Sequence, residues 1–187
     1  NRIYKKYSTF EILVNNARYR SRCGLDESLK EWTASLEVSL TAPFFLSQEF
    51  ISRATAGGSI INICSVASIL ATAESPSYHA AKGGLLSLTK YLAIAGGKRG
   101  VRVNAVLPGL IIQEDHLERF SREDNRSYRD KCEIYQPMGT VGKESDVAEI
   151  TVFLCSSGSS YISGATINVD GAGSVQDQFA LINKLDI

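Results

Sequence analysis

"GSIINICSVASILATAESPSYHAAKGGLLSLTK", residues 58–90, changes its period partway along. Residues 58–65 are apolar and β-branched, as in a strand buried on both faces. A loop of small and polar residues follows. From about Pro76 to Ala95 the pattern is helical, with Gly96 and Gly97 as the expected stop. A buried strand feeding a long helix is half of a parallel crossover unit, so this stretch predicts an α/β fold. It also places Tyr78 and Lys82 four residues apart on one helical face, with Gly83 and Gly84 bare behind them.

The alternation continues on either side. "EILVNNA" (11–17) is a short apolar run ending in polar residues, the expected first strand. Residues 26–54 carry Leu29, Trp32, Leu36, Leu40 and Phe44 at helical spacing, with a kink expected at Pro43. "VRVNAVLPG" (101–109) reads as a third strand broken by Pro108-Gly109, residues 112–137 as charged and irregular, "KESDVAEITVFLCS" (143–156) as a helix, and "ATINVDG" (165–171) as the last strand. Four strands thus alternate with helical segments, without repeats or low-complexity linkers, as in a parallel sheet with crossover helices.

Composition narrows the function. The 187 residues, 44% hydrophobic, fit one domain spanning 1–187 with a sizeable core. Twenty basic and twenty acidic residues cancel, so no global field recruits nucleic acid or an anionic membrane, and a small-molecule or protein partner is expected. Cys23, Cys64, Cys132 and Cys155 lack zinc-ligand spacing; free thiols, no metal and a cytoplasmic setting are expected. No apolar run approaches the ~18 residues of a membrane span, and "NRIYKKYSTF" at the start has no signal-peptide core.

In an open parallel sheet, ligands bind beyond the carboxyl ends of the strands. Asn15 and Asn16 close the first expected strand, Ser65 the second, and Pro108-Gly109 the third, while Tyr78 and Lys82 lie on the helix leaving the Ser65 loop. A tyrosine titrating near 10 is a poor base at neutrality, but a neighbouring ammonium favours the phenolate. Tyr78 then serves as a proton donor or acceptor, and the Ser65 hydroxyl can hold a carbonyl oxygen as it becomes an alkoxide. Taken singly, each signal also has a structural reading: a chance pair, a turn, a strand terminator.

As an ordered set, these segments resemble the short-chain dehydrogenase/reductase family from about Phe10 to Gly173. "LVNNAR" is similar to its L-V-N-N-A-G strand end, "INICSVAS" to its serine segment, "YHAAK" to its Y-x-x-x-K, "VRVNAVLPGLI" to its N-x-x-x-P-G turn and "YISGATINVDGAG" to its last strand. The resemblance implies a Rossmann-type doubly wound parallel sheet and an NAD(P)-dependent oxidoreductase interconverting a secondary alcohol and a ketone by hydride transfer. It implies Tyr78 as acid/base, Lys82 as the residue that lowers its pKa and holds the nicotinamide ribose, and Ser65 as the substrate-orienting hydroxyl. Asn16 and Ala17 would line the cofactor groove, and Pro108, Gly109 and Ile111 would lie against the nicotinamide of NAD or NADP.

Three features depart from the family pattern. No strand with a T-G-x-x-x-G-x-G loop precedes "FEILVNN", so the chain reads as the C-terminal two-thirds of such a domain, with "EILV" an exposed apolar edge. Ser39 in "LEVSLTAPF" stands at the family's asparagine position in the proton relay, where it offers fewer hydrogen-bonding sites than an amide. Arg18 replaces the glycine of N-N-A-G, where a long cation either meets a phosphate or points into solvent.

Residues 66–75 and 110–137 are the expected determinants of substrate. Arg119, Arg122, Arg126, Arg129 and Lys131, interleaved with acids, read either as a solvated face or as a grip on an anionic substrate. By resemblance the substrate is a sugar or a 3-oxoacyl group. The alternative is a non-catalytic family member acting as a binding or oligomer partner. The family commonly pairs helices equivalent to 26–54 and 76–95 between subunits, which implies a homodimer or homotetramer; Ala80, Gly84, Ser87 and Ala95 would permit close contact, or serve the core equally well.

Overall fold

The computed structural model describes residues 10–19, 21, 24–54 and 57–184, so the Cys23 expectation lies outside the described residues. Among them, strands β1 (Ile12–Asn15), β2 (Gly58–Ile63), β3 (Val101–Pro108) and β6 (Thr166–Val169) form one sheet in the order β1-β2-β3-β6. All three pairings are parallel. The four expected strands are therefore present. Two two-residue strands, β4 (Ile111–Ile112) and β5 (Gly142–Lys143), form a separate parallel pair.

Strand alternation divides the core into two layers. Ile60, Val101, Val103, Ala105 and Leu107 face one side, where they meet Phe50, Leu85, Leu86 and Leu92. Ile61, Ile63 and Val106 face the other, against Leu154. Ile60, Ile61, Val103, Val106 and Leu107 are fully buried. Each such side chain contributes about 1.5–3 kcal/mol of transfer free energy, so both layers are needed to hold the strands. Helices accordingly cover both faces. Helices α2 (Ala42–Arg53) and α3 (Pro76–Gly97) bring Phe50, Leu85 and Leu92 to the first, and α6 (Glu144–Cys155) brings Leu154 to the second. At β1 the side chains of Ile12 and Val14 are exposed, as expected of an apolar edge strand.

The first helical segment departs from its expected form. It starts at Leu29, because Ser28 and Glu31 form a reciprocal capping box, with Ser28 Oγ accepting from the Glu31 amide at 3.3 Å. Helix α1 (Leu29–Leu36) then widens into a π-helical turn, Glu37–Thr41, before α2 begins. The interruption falls in the turn just before Pro43, which has no amide hydrogen to donate back into it, so the kink expected at this proline takes the form of a widened turn. Ser39 sits buried in the π turn.

Helix α3 also runs past its expected end, through Gly96 and Gly97. A Cβ on Gly96 would lie 2.9 Å from the Val101 carbonyl oxygen, so this glycine is required by the approach of β3 and not by a helix stop. The chain reverses at Gly100, whose φ of +69° lies in the left-handed region. Of the glycines behind Lys82, Gly84 provides close packing, since a Cβ there would lie 3.0 Å from Leu40 Cδ2. At Gly83 the nearest atom would be 3.8 Å away, so only Gly84 of the pair is required by a close neighbour.

Residues 112–137 are helical and not irregular. Helices α4 (Glu114–Ser121) and α5 (Arg126–Tyr135) each bury one anchor, Phe120 and Cys132 respectively. The interleaved charges that hid them are their surface. Arg126 pairs with Glu123 at 3.3 Å and Asp130 at 3.8 Å, while Arg122 pairs with Asp124 at 3.2 Å. Arg129 donates to the Phe120 carbonyl at 3.1 Å. Helix α7 (Gln178–Lys184) closes the described chain. No described helix is long and apolar enough to cross a membrane.

Candidate active site

The carboxyl ends of β1, β2 and β3 bring the predicted residues to one edge of the sheet. Asn15 ends β1 but turns inward, its amide donating to Asn62 Oδ1 at 2.8 Å and Ser47 Oγ at 3.2 Å. Asn62 in turn donates to Thr89 Oγ1 at 2.9 Å, and Thr89 donates to the Leu85 carbonyl at 2.9 Å. This buried polar chain ties β1, β2 and α3 together, so Asn15 is structural. Asn62 and Thr89 carry no signal in the sequence beyond two polar residues inside apolar runs. The following Asn16 and Ala17 are exposed at the strand end.

Ser65 lies two residues past the end of β2 and caps a short 3-10 segment, Val66–Ser68, by accepting from the Ala67 amide at 3.1 Å. Because that bond uses an oxygen lone pair, the hydroxyl hydrogen remains free to donate. Tyr78 lies in the first turn of α3, which is capped by Ser75. The α3 N-terminus is further held by Glu27, whose carboxylate accepts from Ser77 N at 3.0 Å and Ser77 Oγ at 2.6 Å. Burial raises the Glu27 pKa, but these hydrogen bonds outweigh it and hold the carboxyl below its usual value. Glu27 was not singled out in the sequence, where it reads as one more charge beside a helix start.

His79, the residue after Tyr78, was also missed. Its Nε2 accepts from the Thr72 amide at 3.0 Å and faces Thr72 Oγ1 at 3.2 Å, while its Nδ1 faces the Ser75 carbonyl at 2.9 Å. Those partners require the proton on Nδ1, and they pin loop residue 72 beside the Tyr78 turn. His79 therefore fixes the 66–75 loop from the same helix that presents Tyr78.

Lys82 is buried one turn beyond Tyr78. Its Nζ donates to the Ile63 carbonyl at 2.6 Å and lies 5.8 Å from the centre of the Tyr78 ring. Burial brings the Lys82 pKa down to about 8 from 10.5, with Cys64 opposing the change and Arg18 adding to it. The adjacent Cys64 thiol is pushed up to about 12, chiefly by burial. Cys64, Cys132 and Cys155 are all free thiols.

Arg18 faces solvent, one of the two positions expected for it. It is exposed, yet its guanidinium carbon lies 6.0 Å from the Tyr78 ring centre, at the outer range of a cation–π contact. Ser39 holds the backbone just beyond, its Oγ accepting from the Tyr19 amide at 3.2 Å. Ser39 thus binds the β1 loop across the π turn, and that hydroxyl is occupied as an acceptor.

At the third strand, Pro108 and Gly109 leave β3 half-buried. Gly109 donates its amide to the Val169 carbonyl at 3.0 Å, and a Cβ there would meet Asp170 Cβ at 2.6 Å. Ile111 pairs with Gly142 in the β4–β5 bridge, fixing the course of residues 108–111. Among the described residues there is no cluster of His, Cys, Asp and Glu that could hold a metal ion.

A sequence model of the enoyl-(acyl carrier protein) reductase family matches residues 1–173. A 3-oxoacyl-[acyl-carrier-protein] reductase of Aquifex aeolicus is 36% identical over 90% of this chain and 67% of its own length. A gluconate 5-dehydrogenase of Burkholderia cenocepacia, solved with NADP and tartrate, is 29% identical with a TM-score of 0.80, covering 94% of this chain and 69% of that one. A 4-hydroxyisoleucine dehydrogenase mutant, solved with NADH and succinate, is 30% identical with a TM-score of 0.84, over 95% and 75% of the two chains. The chain spans 65–68% of the length of several curated relatives and 30% of another.

Proposed function

Because this chain belongs to the short-chain dehydrogenase/reductase family, we propose that it is the catalytic portion of an NAD(P)-dependent oxidoreductase interconverting a secondary alcohol and a ketone. The observation that carries this reading is the placement of Ser65, Tyr78 and Lys82 at one sheet edge, on a loop and helix that Glu27, Ser75 and His79 fix in place. Relatives named for acyl and sugar-acid substrates support a sugar or 3-oxoacyl substrate.

The residues present fit the nicotinamide end of a dinucleotide site. Asn16 and Ala17 are exposed at the end of β1, and the glycine at 109 draws the 108–111 backbone against β6 without a side chain in the way. Asn16, Ala17, Lys82, Pro108, Gly109 and Ile111 would hold the cofactor, with Tyr78 beside it. NAD or NADP bound there would supply the hydride acceptor for alcohol oxidation, or the hydride donor for the reverse reaction.

The chain's own groups handle the proton. Tyr78 Oη takes the hydroxyl proton during oxidation and gives it back during reduction. The buried Lys82 ammonium lies 5.8 Å from the Tyr78 ring, and the Ser65 hydroxyl hydrogen, left free by the bond from Ala67 N, would hold the substrate oxygen where negative charge develops. Ser39 stands at the family's relay-asparagine position, and its hydroxyl, which accepts from Tyr19 N, keeps its hydrogen and one further lone pair for a relay.

Tyr78→Phe in the complete protein tests the assignment. Loss of about 10²- to 10⁴-fold in kcat, with the fold retained by circular dichroism, is the expected result. Near-parent turnover would remove Tyr78 from this role. A cytoplasmic homodimer or homotetramer completes the proposal. It is supported by the shallow groove that Leu40, Phe44, Gly84, Leu88 and Tyr91 form between the helices, and by exposed Phe45, Leu46 and Ile94. Light scattering of the Tyr78 preparations reads the assembly directly.

A further inference from the structure

The charge around Tyr78 is one-sided. Arg18 and Lys82 both lie about 6 Å from its ring, at 6.0 and 5.8 Å. The other titratable groups nearby do not neutralise them. Glu27 is committed to Ser77, both ring nitrogens of His79 are occupied by Thr72 and Ser75, and burial pushes the Cys64 thiol up to about 12. Among the described residues, no carboxylate lies within ion-pair range of Arg18.

The two cations differ in what they can do. Lys82 is buried and its ammonium is bound to the Ile63 carbonyl. Arg18 is exposed, and its side chain reaches back over Tyr78 from a backbone that Ser39 clamps at the next residue. Its charge is also felt at Lys82, whose pKa it helps to lower after burial, so it belongs to the same electrostatic site. A planar guanidinium with five donors in a fixed fork matches a carboxylate in two parallel hydrogen bonds. Its place 6.0 Å from the ring centre of the proposed acid/base would hold such an anion near Tyr78.

We propose that Arg18 is a specificity-determining residue that binds a carboxylate of the substrate beside Tyr78, so that the substrate is a hydroxy acid and its oxo acid. This rests on the oxidoreductase reading for the reaction, though not for the binding. It also assigns anion recognition to the β1 loop. Of the cations in the 110–137 segment, Arg122 and Arg126 already face acids, and Arg129 faces the Phe120 and Arg122 carbonyls.

The test separates binding from turnover. Calorimetric titration of the complete protein with succinate, and with neutral succinamide as control, reads carboxylate recognition without chemistry. The expected result is saturable succinate binding, weakened at least about tenfold in Arg18→Gln, partly restored in Arg18→Lys and retained in Tyr78→Phe. With NADP present, the ratio of kcat/KM for D-gluconate over D-sorbitol should fall by a similar factor in Arg18→Gln, through KM. The proposal is overturned if the parent does not bind succinate, if Arg18→Gln binds it equally, or if that variant weakens NADP binding while succinate affinity is unchanged. Failure of the oxidoreductase reading shows separately, as Tyr78→Phe turnover equal to the parent's.

Discussion

Lys82 should make the protein more stable in mild alkali than at neutrality. Its ammonium is buried, and burial holds its pKa near 8 where an exposed lysine titrates at 10.5. The folded state therefore releases this proton before the unfolded state does. A depressed lysine pKa means that the folded form carries a desolvation penalty while the amine is charged, fully present below about 8 and absent above about 10.5. A displacement of this size, at about 1.4 kcal/mol per pH step, is worth roughly 3 kcal/mol in total, of which about 2 kcal/mol returns between pH 7.5 and 9.5. Cys64 works the other way, because a thiol held near 12 in the fold but titrating near 9.0 unfolded lowers stability as the pH rises through that interval. Comparison with Lys82→Met separates the two. The lost bond to the Ile63 carbonyl gives a pH-independent offset, and the Cys64 effect is largely common to both proteins. Urea denaturation of each at pH 7.5 and 9.5 should show the parent gaining about 2 kcal/mol relative to Lys82→Met. The ¹³Cε resonance of Lys82 should titrate near 8. A stability difference flat across that interval, with a resonance midpoint above 10, would refute the burial argument.

Two substitutions in one helical turn should move stability in opposite directions. Gly96→Ala drives a methyl group against the Val101 carbonyl and should destabilise by about 1–3 kcal/mol, whereas Gly97→Ala meets nothing within 4 Å and should stabilise by up to about 1 kcal/mol. Thermal midpoints of the two variants check the order, and equal effects would mean that β3 does not press on Gly96. At the other end of α3, the Glu27 carboxyl is held below its usual pKa by Ser77, so its contribution is present above about 4.5 and lost as the pH falls. The parent should therefore lose more stability than Glu27→Gln between pH 6 and 3, measured by urea midpoints; parallel losses would show that the carboxylate charge is not what holds the helix start.

Much of the architecture was legible because buried parallel strands advertise themselves. "GSIINICS" and "VRVNAVLPG" are nearly continuous apolar runs, and both became central strands with side chains alternating between two covered faces. Helices α4 and α5 were not legible. Their sequence buries Phe120 and Cys132 alone, too few apolar positions for a periodicity to emerge from the charges. At 37–41 the kink was legible from Pro43, which cannot donate back into that turn, but its π form was not.

The sequence by itself determined the ordered set of Ser65, Tyr78, Lys82, Pro108 and Gly109 and the strand ends that carry them, because strand and helix periods place such residues from local spacing alone. Only the tertiary structure decided what each position does. It turned Asn15 inward to Asn62, set His79 and Glu27 as clamps on the Tyr78 turn, and gave Gly84 and Gly96 their close neighbours. It also folded Arg18 back over Tyr78. Most of these depend on a partner dozens of residues away, or on which way a side chain turns within a crowded shell. No spacing rule encodes the distance between two side chains that the chain brings together only when the sheet closes against its helices.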